Sequence, residues 1–507
     1  MRRLVVCIDG TWQDRIADSN VCRLSTAFVA PAGDPPAHYV PGVGASGIGA
    51  AKLRAAVTGA GLDEAILDGY GWLVETFRAG DRISLFGFSR GAYTARSLAG
   101  MIGRIGLVDG TGLDERERTA AVRRAYARYR ALRDTPVDDT WGAGLQFAYA
   151  AGDNDIPIDF IGVWDTVGAL GIPAYIGVPD LLHSRERYEF LDVELDPRIP
   201  HARHALSLDE IRGPFRPTLW KDPAPGQDMR QVWFPGDHCD VGGGHPEKQL
   251  SDVALEWMTR EATAAVGLAF DLGLIDGFAP SPQGRAHEFD TGLKGAVLEV
   301  GYQPRPRAVP RIDAAHPDPT VSDSAHERQR RTGYRTTVTP AVGDTATVTV
   351  YADRAWTNTG LYLDTGEYKF SATGRWSSAG NSCGPEGETG MWHLSGGTFA
   401  GIVDRIENRL RTVLNNDEVE LLGTRRENDL PWMSLVGRVA NETTVPITGA
   451  RPPQATTEVE PDDTLALGAT GTAHPDRPGY LYAYPNDALG FYGNNSGAVS
   501  LTVSRTS

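Results

Sequence analysis

Cysteine is scarce in this 507-residue chain. Cys7, Cys22, Cys239 and Cys383 stand far apart, with no C-x-x-C pair. That spacing offers neither a disulfide framework nor a cysteine zinc site. Positive charge is in deficit, with 49 Lys and Arg against 65 Asp and Glu and a net charge of −16. No basic patch stands out, which argues against nucleic acid as a partner and leaves no bulk attraction to anionic lipid. No apolar run approaches the length that spans a membrane. The first apolar run, residues 4–8, is too short for a signal peptide and runs into Asp9-Gly10. It reads as a buried strand entering a turn. The expectation is a protein made in the cytoplasm, with no signal peptide and no transmembrane segment. Export would need a route that reads no N-terminal signal.

What is present falls into two compositions. Residues 4–8, 83–88 and 158–164 are rich in Val, Ile and Phe and end at turn residues. Helical patterns at 64–78, 115–133 and 252–266 alternate with them. That alternation predicts a mostly parallel sheet covered on both faces. From Gly301 to Gly343 the chain is rich in Pro, Arg, Asp, His and Thr with little periodicity, and reads as an extended closing segment or linker. After Asp344, short runs at 347–351, 368–373, 434–439 and 479–484 have strand character, bounded by Gly, Asn, Asp and Pro. Only 399–414 has a helical pattern there. Short strands with frequent turns predict a β-sandwich. The expected domains are 1–340 and 344–507.

Gly87-Phe88-Ser89-Arg90-Gly91 follows one apolar run and opens a helix-like stretch. This is the strand–turn–helix setting of a nucleophile elbow, with glycines two before and two after the serine to remove side-chain clashes. An acyl-transfer serine needs a base and an orienting acid, and in the α/β-hydrolase order acid then histidine follow it. Asp165 closes the apolar run 161–164, at a strand's carboxyl end, where ligands gather in open α/β sheets. A helix N-cap before Thr166 is the alternative for it, weakened by the agreement of strand position and chain order. His238 lies in Gly236-Asp237-His238-Cys239-Asp240, followed by Gly242-Gly243-Gly244. A packed loop histidine is the alternative for it, and Asp237 and Asp240 compete with Asp165 for the acid role. A metal site of Asp237, His238, Asp240 and His245 is the rival reading, weakened by the lack of a second ligand cluster. Between acid and base, residues 172–182 are apolar enough to wall an acyl-chain site, or to be ordinary core.

Cys7-Ile8-Asp9-Gly10-Thr11-Trp12 with Asn20-Val21, Gly87–Gly91 with Ala92, Val163–Val167, His204-Ala205-Leu206 with Asp209-Glu210 and Arg212, and Phe234-Pro235-Gly236 with His238 and Asp240–Gly244 form five ordered motifs. They resemble a bacterial and fungal α/β-hydrolase family whose characterised members include type VI secretion phospholipase effectors. The match runs from Arg3 to about Thr339. The resemblance implies a triad of Ser89, Asp165 and His238 that needs no cofactor for catalysis. The tetrahedral oxyanion would take the amide of Arg90 and that of Gly10 or Thr11. Asp9 is expected to anchor the turn after the first strand rather than to act in catalysis, and Asp240 to support His238.

Near the end, Asp487, Asn494 and Asn495 offer side-chain oxygens from one compact loop, as calcium requires and as a plain Asn-Gly-rich hairpin also supplies. With Gly374, Trp376 and Gly384-Pro385-Glu386-Gly387, this stretch resembles the calcium-dependent galactophilic lectins of the PA-IL type over roughly 344–503. The resemblance implies Ca2+ held by Asp487, Asn494 and Asn495, by the carbonyl of Phe491 and by that of Ala379, where the lectins have tyrosine. The loop Glu388–Trp392 departs from the lectin pattern: Trp392 stacks on a sugar face or belongs to the core, His393 aligns with the sugar loop, and the ligand is a galactose-like sugar, another glycan, or none if only the fold is kept. Together the two resemblances imply an α/β-hydrolase followed by an all-β sandwich of lectin-like type. The expected function is cleavage of carboxylic esters, lipid or phospholipid, beside a calcium-dependent carbohydrate-binding module. An esterase that deacylates a glycan, and a lectin with a non-catalytic hydrolase scaffold, are the alternatives.

Overall fold

The computed structural model describes residues 2–10, 18–42, 60–131, 141–168, 194–287, 304–378, 380–388, 425–441, 443–446, 457–460, 463–489 and 492–507. Residues 172–182 and 399–414 lie outside them. Six strands form one sheet: β1 (Arg3–Ile8), β2 (His38–Val40), β3 (Arg82–Phe88), β6 (Ile158–Trp164), β7 (His201–Ser207) and β8 (Asp228–Phe234). Their order is β2-β1-β3-β6-β7-β8, and every pairing is parallel. A sheet covered on both faces makes its central strands apolar throughout. β1 illustrates this. Leu4, Val6 and Ile8 join one core with helices α2 (Ala60–Thr76), α3 (Arg90–Ile105) and α4 (Glu115–Ala131). Val5 and Cys7 join the opposite core with α1 (Asn20–Ala27) and α6 (Gln249–Val266). Two short strands, β4 (Leu107–Val108) and β5 (Phe147–Tyr149), pair beside this sheet.

β7 and β8 were not expected from the pattern, because charged side chains interrupt their apolar residues. In β7, buried Arg203 is held by Asp228 of β8 and Glu261 of α6, each at 2.6 Å. A short helix α5 (His238–Gly242) follows β8 after the turn 235–237.

The second half is antiparallel. One sheet runs β10 (Thr357–Leu363), β18 (Gly479–Pro485), β13 (Leu435–Ala440), β16 (Asp463–Ala466). The other runs β12 (Asn381–Cys383), β11 (Tyr368–Ser378), β19 (Asn495–Arg505), β9 (Thr345–Tyr351), with β17 (Thr470–Ala473) also on β11. β14 (Thr443–Pro446) and β15 (Thr457–Glu460) form a separate ribbon. The two larger sheets share one apolar core, with Trp376 and Phe370 of one facing Leu435 and Leu481 of the other.

Of the two readings for residues 301–343, the described part fits the extended closing segment and not the free linker. Residues 304–322 cross the gap between the halves without regular structure, and α7 (Asp323–Thr332) follows. Val309, Ile312 and Val321 join Leu206, Leu208 and Trp233 on one side and Ala440, Tyr480 and Tyr482 on the other in a single cluster. The Tyr480 hydroxyl accepts from the Ile312 amide at 2.9 Å. Asp209 takes the Tyr334 hydroxyl at 2.6 Å and the Arg335 guanidinium at 3.0 Å.

Candidate active site

Ser89 is the one-residue corner between β3 and α3, with φ 57° and ψ −124°. A non-glycine residue at positive φ is strained and persists only where its surroundings hold it. The flanking glycines show how closely those surroundings approach. A Cβ on Gly87 would lie 2.5 Å from the Gly91 carbonyl oxygen. One on Gly91 would lie 2.2 Å from that of Ile8, and one on Gly10 would lie 3.0 Å from the Ser89 Cβ. The Ser89 amide donates to the Trp164 carbonyl at 3.0 Å, which ties the corner to the end of β6. Arg90 opens α3, so its amide is the first of that helix, whose N-terminus favours negative charge.

Asp165 follows β6, also at positive φ (36°), with no exposed surface. Its Oδ2 meets His238 Nδ1 at 2.6 Å. Asp165 is therefore the carboxylate on the imidazole, and Asp237 and Asp240 are not. Those two instead form a reciprocal cap at the start of α5. Asp237 accepts from the amides of Cys239 and Asp240 at 2.9 Å, and Asp240 accepts from that of Asp237 at 3.1 Å. This cap fixes His238 as the first residue of α5. The imidazole is packed between the rings of Phe88 (4.6 Å) and Phe215 (4.9 Å). Glu210 accepts from the His238 amide at 3.3 Å and pairs with Arg212 at 2.5 Å, and that guanidinium lies 4.0 Å over Phe215. The Asp209-Glu210-x-Arg212 motif thus braces the His238 ring and backbone.

Arg307 was not singled out in the sequence. It is buried, and its guanidinium clasps Asp165 with Nη1 on Oδ1 at 2.8 Å and Nη2 on Oδ2 at 2.9 Å. The Ser207 amide adds a bond to Oδ1 at 3.0 Å. Burial alone would raise the Asp165 pKa. The charge of Arg307 and the bond from His238 outweigh it and hold the carboxyl well below the usual range. Beside it, buried His204 accepts from the Thr166 amide at 3.1 Å. Burial, helped by the Arg96 charge, pushes its pKa down to about 3, so it is neutral and serves the turn.

Asp9 anchors the turn after β1. Its carboxylate accepts from the Gly10 amide (2.8 Å), the Ser19 hydroxyl (2.5 Å) and the Tyr39 hydroxyl (2.7 Å). The Gly10 amide already has that partner, which it would have to exchange to serve an oxyanion. Thr11, its alternative, lies outside the described residues.

The rival metal set does not assemble as expected, because His238 turns to Asp165. Asp240 and His245 are joined by His287, with ligand atoms within 4.8 Å of one another. The two imidazoles stack face to face, 3.8 Å apart and 20° from parallel, so their lone pairs run side by side instead of converging. Each ring is instead paired with a carboxylate, His245 with Asp237 at 2.9 Å and His287 with Asp240 at 2.7 Å. Burial opposes the charge on His245, but Asp237 prevails and raises its pKa.

In the C-terminal half, Asp487 and Asn495 come together, with Asn495 Nδ2 donating to Asp487 Oδ2 at 2.8 Å. The Ser378 hydroxyl approaches both Asp487 Oδ2 (3.4 Å) and Asn494 Oδ1 (3.5 Å). Asn495 Oδ1 is buried and has no hydrogen-bond partner among the described residues. Phe491, Ala379, Trp392 and His393 lie outside them.

The family model of the type VI secretion phospholipase effector Tle1-like catalytic domain matches residues 2–261, just over half of the chain. The uncharacterized protein YEL023C of Saccharomyces cerevisiae is 28% identical over 232 residues, covering 42% of this chain and 32% of the yeast protein. The chain thus matches about a third of that relative's length. A solved structure of the Tle1 effector bound to the VgrG spike of the type 6 secretion system covers 99% of this chain and 69% of its own, at 12% identity and TM-score 0.27. The EclA N-terminal domain, a PllA-like lectin, covers 31% of this chain and 94% of its own, at 18% identity and TM-score 0.19. No described helix is long and apolar enough to cross a membrane. On the extent of the family match, the chain belongs to the family of the type VI secretion phospholipase effector Tle1-like catalytic domain.

Proposed function

We propose that this protein hydrolyses carboxylic ester bonds of phospholipids through a Ser89 acyl-enzyme. The observation that carries the reading is the strained corner at Ser89 beside the 2.6 Å contact between His238 Nδ1 and Asp165. With Nδ1 held by the acid, the His238 Nε2 is the base. It takes the Ser89 proton as Oγ attacks the ester carbonyl, then returns a proton to the leaving alcohol. Asp165 fixes the tautomer and stabilises the imidazolium. The Arg90 amide, at the N-terminus of the 16-residue helix α3, faces the developing oxyanion with the helix dipole behind it. Water repeats the sequence to release the fatty acid. Family membership supports lipid as the substrate class.

The test is a panel of short and long acyl esters, phospholipids and acetylated glycans with wild type and Ser89→Ala. Fatty acid release that is lost in Ser89→Ala supports the reading. Release that survives in Ser89→Ala refutes it, and serine-dependent activity confined to glycan esters replaces lipid with carbohydrate.

A second proposal concerns the C-terminal half: that it binds Ca2+ and, with it, carbohydrate. A buried amide oxygen without a partner, on Asn495, next to the Asp487 carboxylate is an acceptor set that suits a hard cation. Asp487, Asn494 and Asn495 would hold the ion, with the carbonyls of Phe491 and Ala379. The ion would supply a charged anchor for sugar hydroxyls. Titration with galactose in calcium and in chelator tests this, and equal binding in both would refute it.

A further inference from the structure

We propose that Arg307 is a positioning residue for the Asp165–His238 pair, and that the strap carrying it is held in place by the C-terminal sheets. This rests on the serine-hydrolase reading of the same site. An ionised carboxylate has about four acceptor positions, and Asp165 fills them with four donors. Oδ1 takes the Ser207 amide and Arg307 Nη1. Oδ2 takes His238 Nδ1 and Arg307 Nη2. Both side chains are buried, Asp165 completely and Arg307 with 4% exposed, so water cannot substitute for the fork. A planar guanidinium bound through two nitrogens fixes the plane of the carboxylate as well as its place. Oδ2 is thereby aimed at Nδ1 although Asp165 sits at positive φ, where its own backbone is strained. The guanidinium is itself fixed, because Nη1 also donates to the Ser207 carbonyl at 2.9 Å and Nη2 to that of Phe215.

The charge has a second effect. Arg307 helps to keep the buried Asp165 carboxyl ionised, so removing that charge would raise the Asp165 pKa and require a higher pH for the acid to be charged. The other charged groups near His238 are Glu210 on its amide, Arg212 across Phe215, and Asp237 and Asp240 in the α5 cap. Among the described residues, the side chains bonded to Asp165 are those of His238 and Arg307.

Residue 307 belongs to the strap, which the sheets of the second half grip at two points. The Pro304 carbonyl accepts from the Trp356 indole at 2.6 Å, and the Ile312 amide donates to the Tyr480 hydroxyl at 2.9 Å. Trp356 is in turn wedged against Tyr484 (4.8 Å) and beneath the Arg426 guanidinium (4.1 Å). The family model ends at residue 261, so this contribution comes from outside the matched segment.

The experiment is steady-state hydrolysis of a phospholipid by the full chain across pH, with folding followed by circular dichroism and melting. Arg307→Met is expected to lower kcat about 10²-fold, the cost of a misplaced catalytic group, with KM little changed and the acidic limb of kcat/KM moved to higher pH. Arg307→Lys keeps the charge without the fork. It should leave the limb near that of wild type while kcat stays low. Trp356→Phe removes only the indole donor and should lower kcat without moving the limb. If Arg307→Met fails to fold, Arg307→Lys and Trp356→Phe decide. Folded Arg307 variants with wild-type kcat and pH profile overturn the positioning role, and wild-type kcat in Trp356→Phe overturns the clamp. Activity that survives Ser89→Ala would instead overturn the underlying hydrolase reading.

Discussion

Two glycine-to-alanine changes, both in helices of the parallel-sheet half, should act in opposite directions. Gly91 is the second residue of α3, packed against β1. An alanine Cβ there would lie 2.2 Å from the Ile8 carbonyl oxygen, 2.5 Å from that of Asp9 and 2.6 Å from the Asp9 carbonyl carbon. Non-bonded heavy atoms sit comfortably at about 3.5 Å. The obstructing atoms are backbone, of Ile8 in a strand paired on both sides and of Asp9 in the turn that follows it, and cannot rotate away. Overpacking costs about 1–3 kcal/mol, and this site belongs at the upper end. Alanine's better helix propensity returns about 1 kcal/mol, leaving a net loss of about 2 kcal/mol. Gly71, within α2, is the opposite case. Its Cβ would meet only the Val122 side chain, at 4.0 Å, so the propensity gain of about 1 kcal/mol stands alone. At roughly 2–4 °C per kcal/mol, Gly91→Ala should melt about 4–8 °C below wild type and Gly71→Ala about 2–4 °C above it. The clash also displaces the Ser89 corner, so Gly91→Ala should lose about 10²-fold in kcat/KM while Gly71→Ala keeps its rate. The assays are differential scanning calorimetry and ester hydrolysis. If Gly91→Ala melts and turns over like Gly71→Ala, the close packing of the elbow against β1 is refuted.

Asp165→Asn should lower kcat about 10⁴-fold by disturbing the imidazole tautomer. At neutral pH it should also destabilise the fold by about 3–5 kcal/mol, since Arg307 is left buried without its partner. The Asp165 carboxyl is depressed in the folded state, so its contribution is present above the unfolded value of about 3.9. It is lost as pH falls through the folded value. Melting curves of wild type and Asp165→Asn should therefore converge as pH drops below about 3.9, and a gap that stays constant with pH contradicts the ion-pair account. Chelation should lower the melting temperature of wild type and leave that of Asp487→Ala unchanged. A wild type indifferent to chelator argues against calcium at Asp487 and Asn495.

The elbow was legible because it is local. Two glycines, a serine and an apolar run within nine residues force one backbone path. Asp165 and His238 were legible through strand-end position and chain order, although they lie 73 residues apart. Arg307 was hidden for a physical reason. It stands 142 residues from Asp165, in a stretch rich in proline and arginine with no period, and such composition matches that of an exposed linker. β7 and β8 were hidden by their charges. Arg203, His204 and Asp228 break the apolar run, and their pairing across strands and with α6 is invisible along the chain. His287 was missed likewise, because its stacking on His245 depends on the return of a distant segment.

The order in which these parts lie along the chain gives the strap a meaning in time. On the ribosome, Ser89, Asp165 and His238 emerge first, then Arg307, and only then Trp356, just before β10, and Tyr480 of β18, which hold the strap. Synthesis at about 5–20 residues per second places tens of seconds between the base and the last clamp. If Arg307 sets the acid, a nascent chain carries every reacting group yet has no ordered site. If the proposed ester hydrolysis holds, that activity would wait until β18 has emerged.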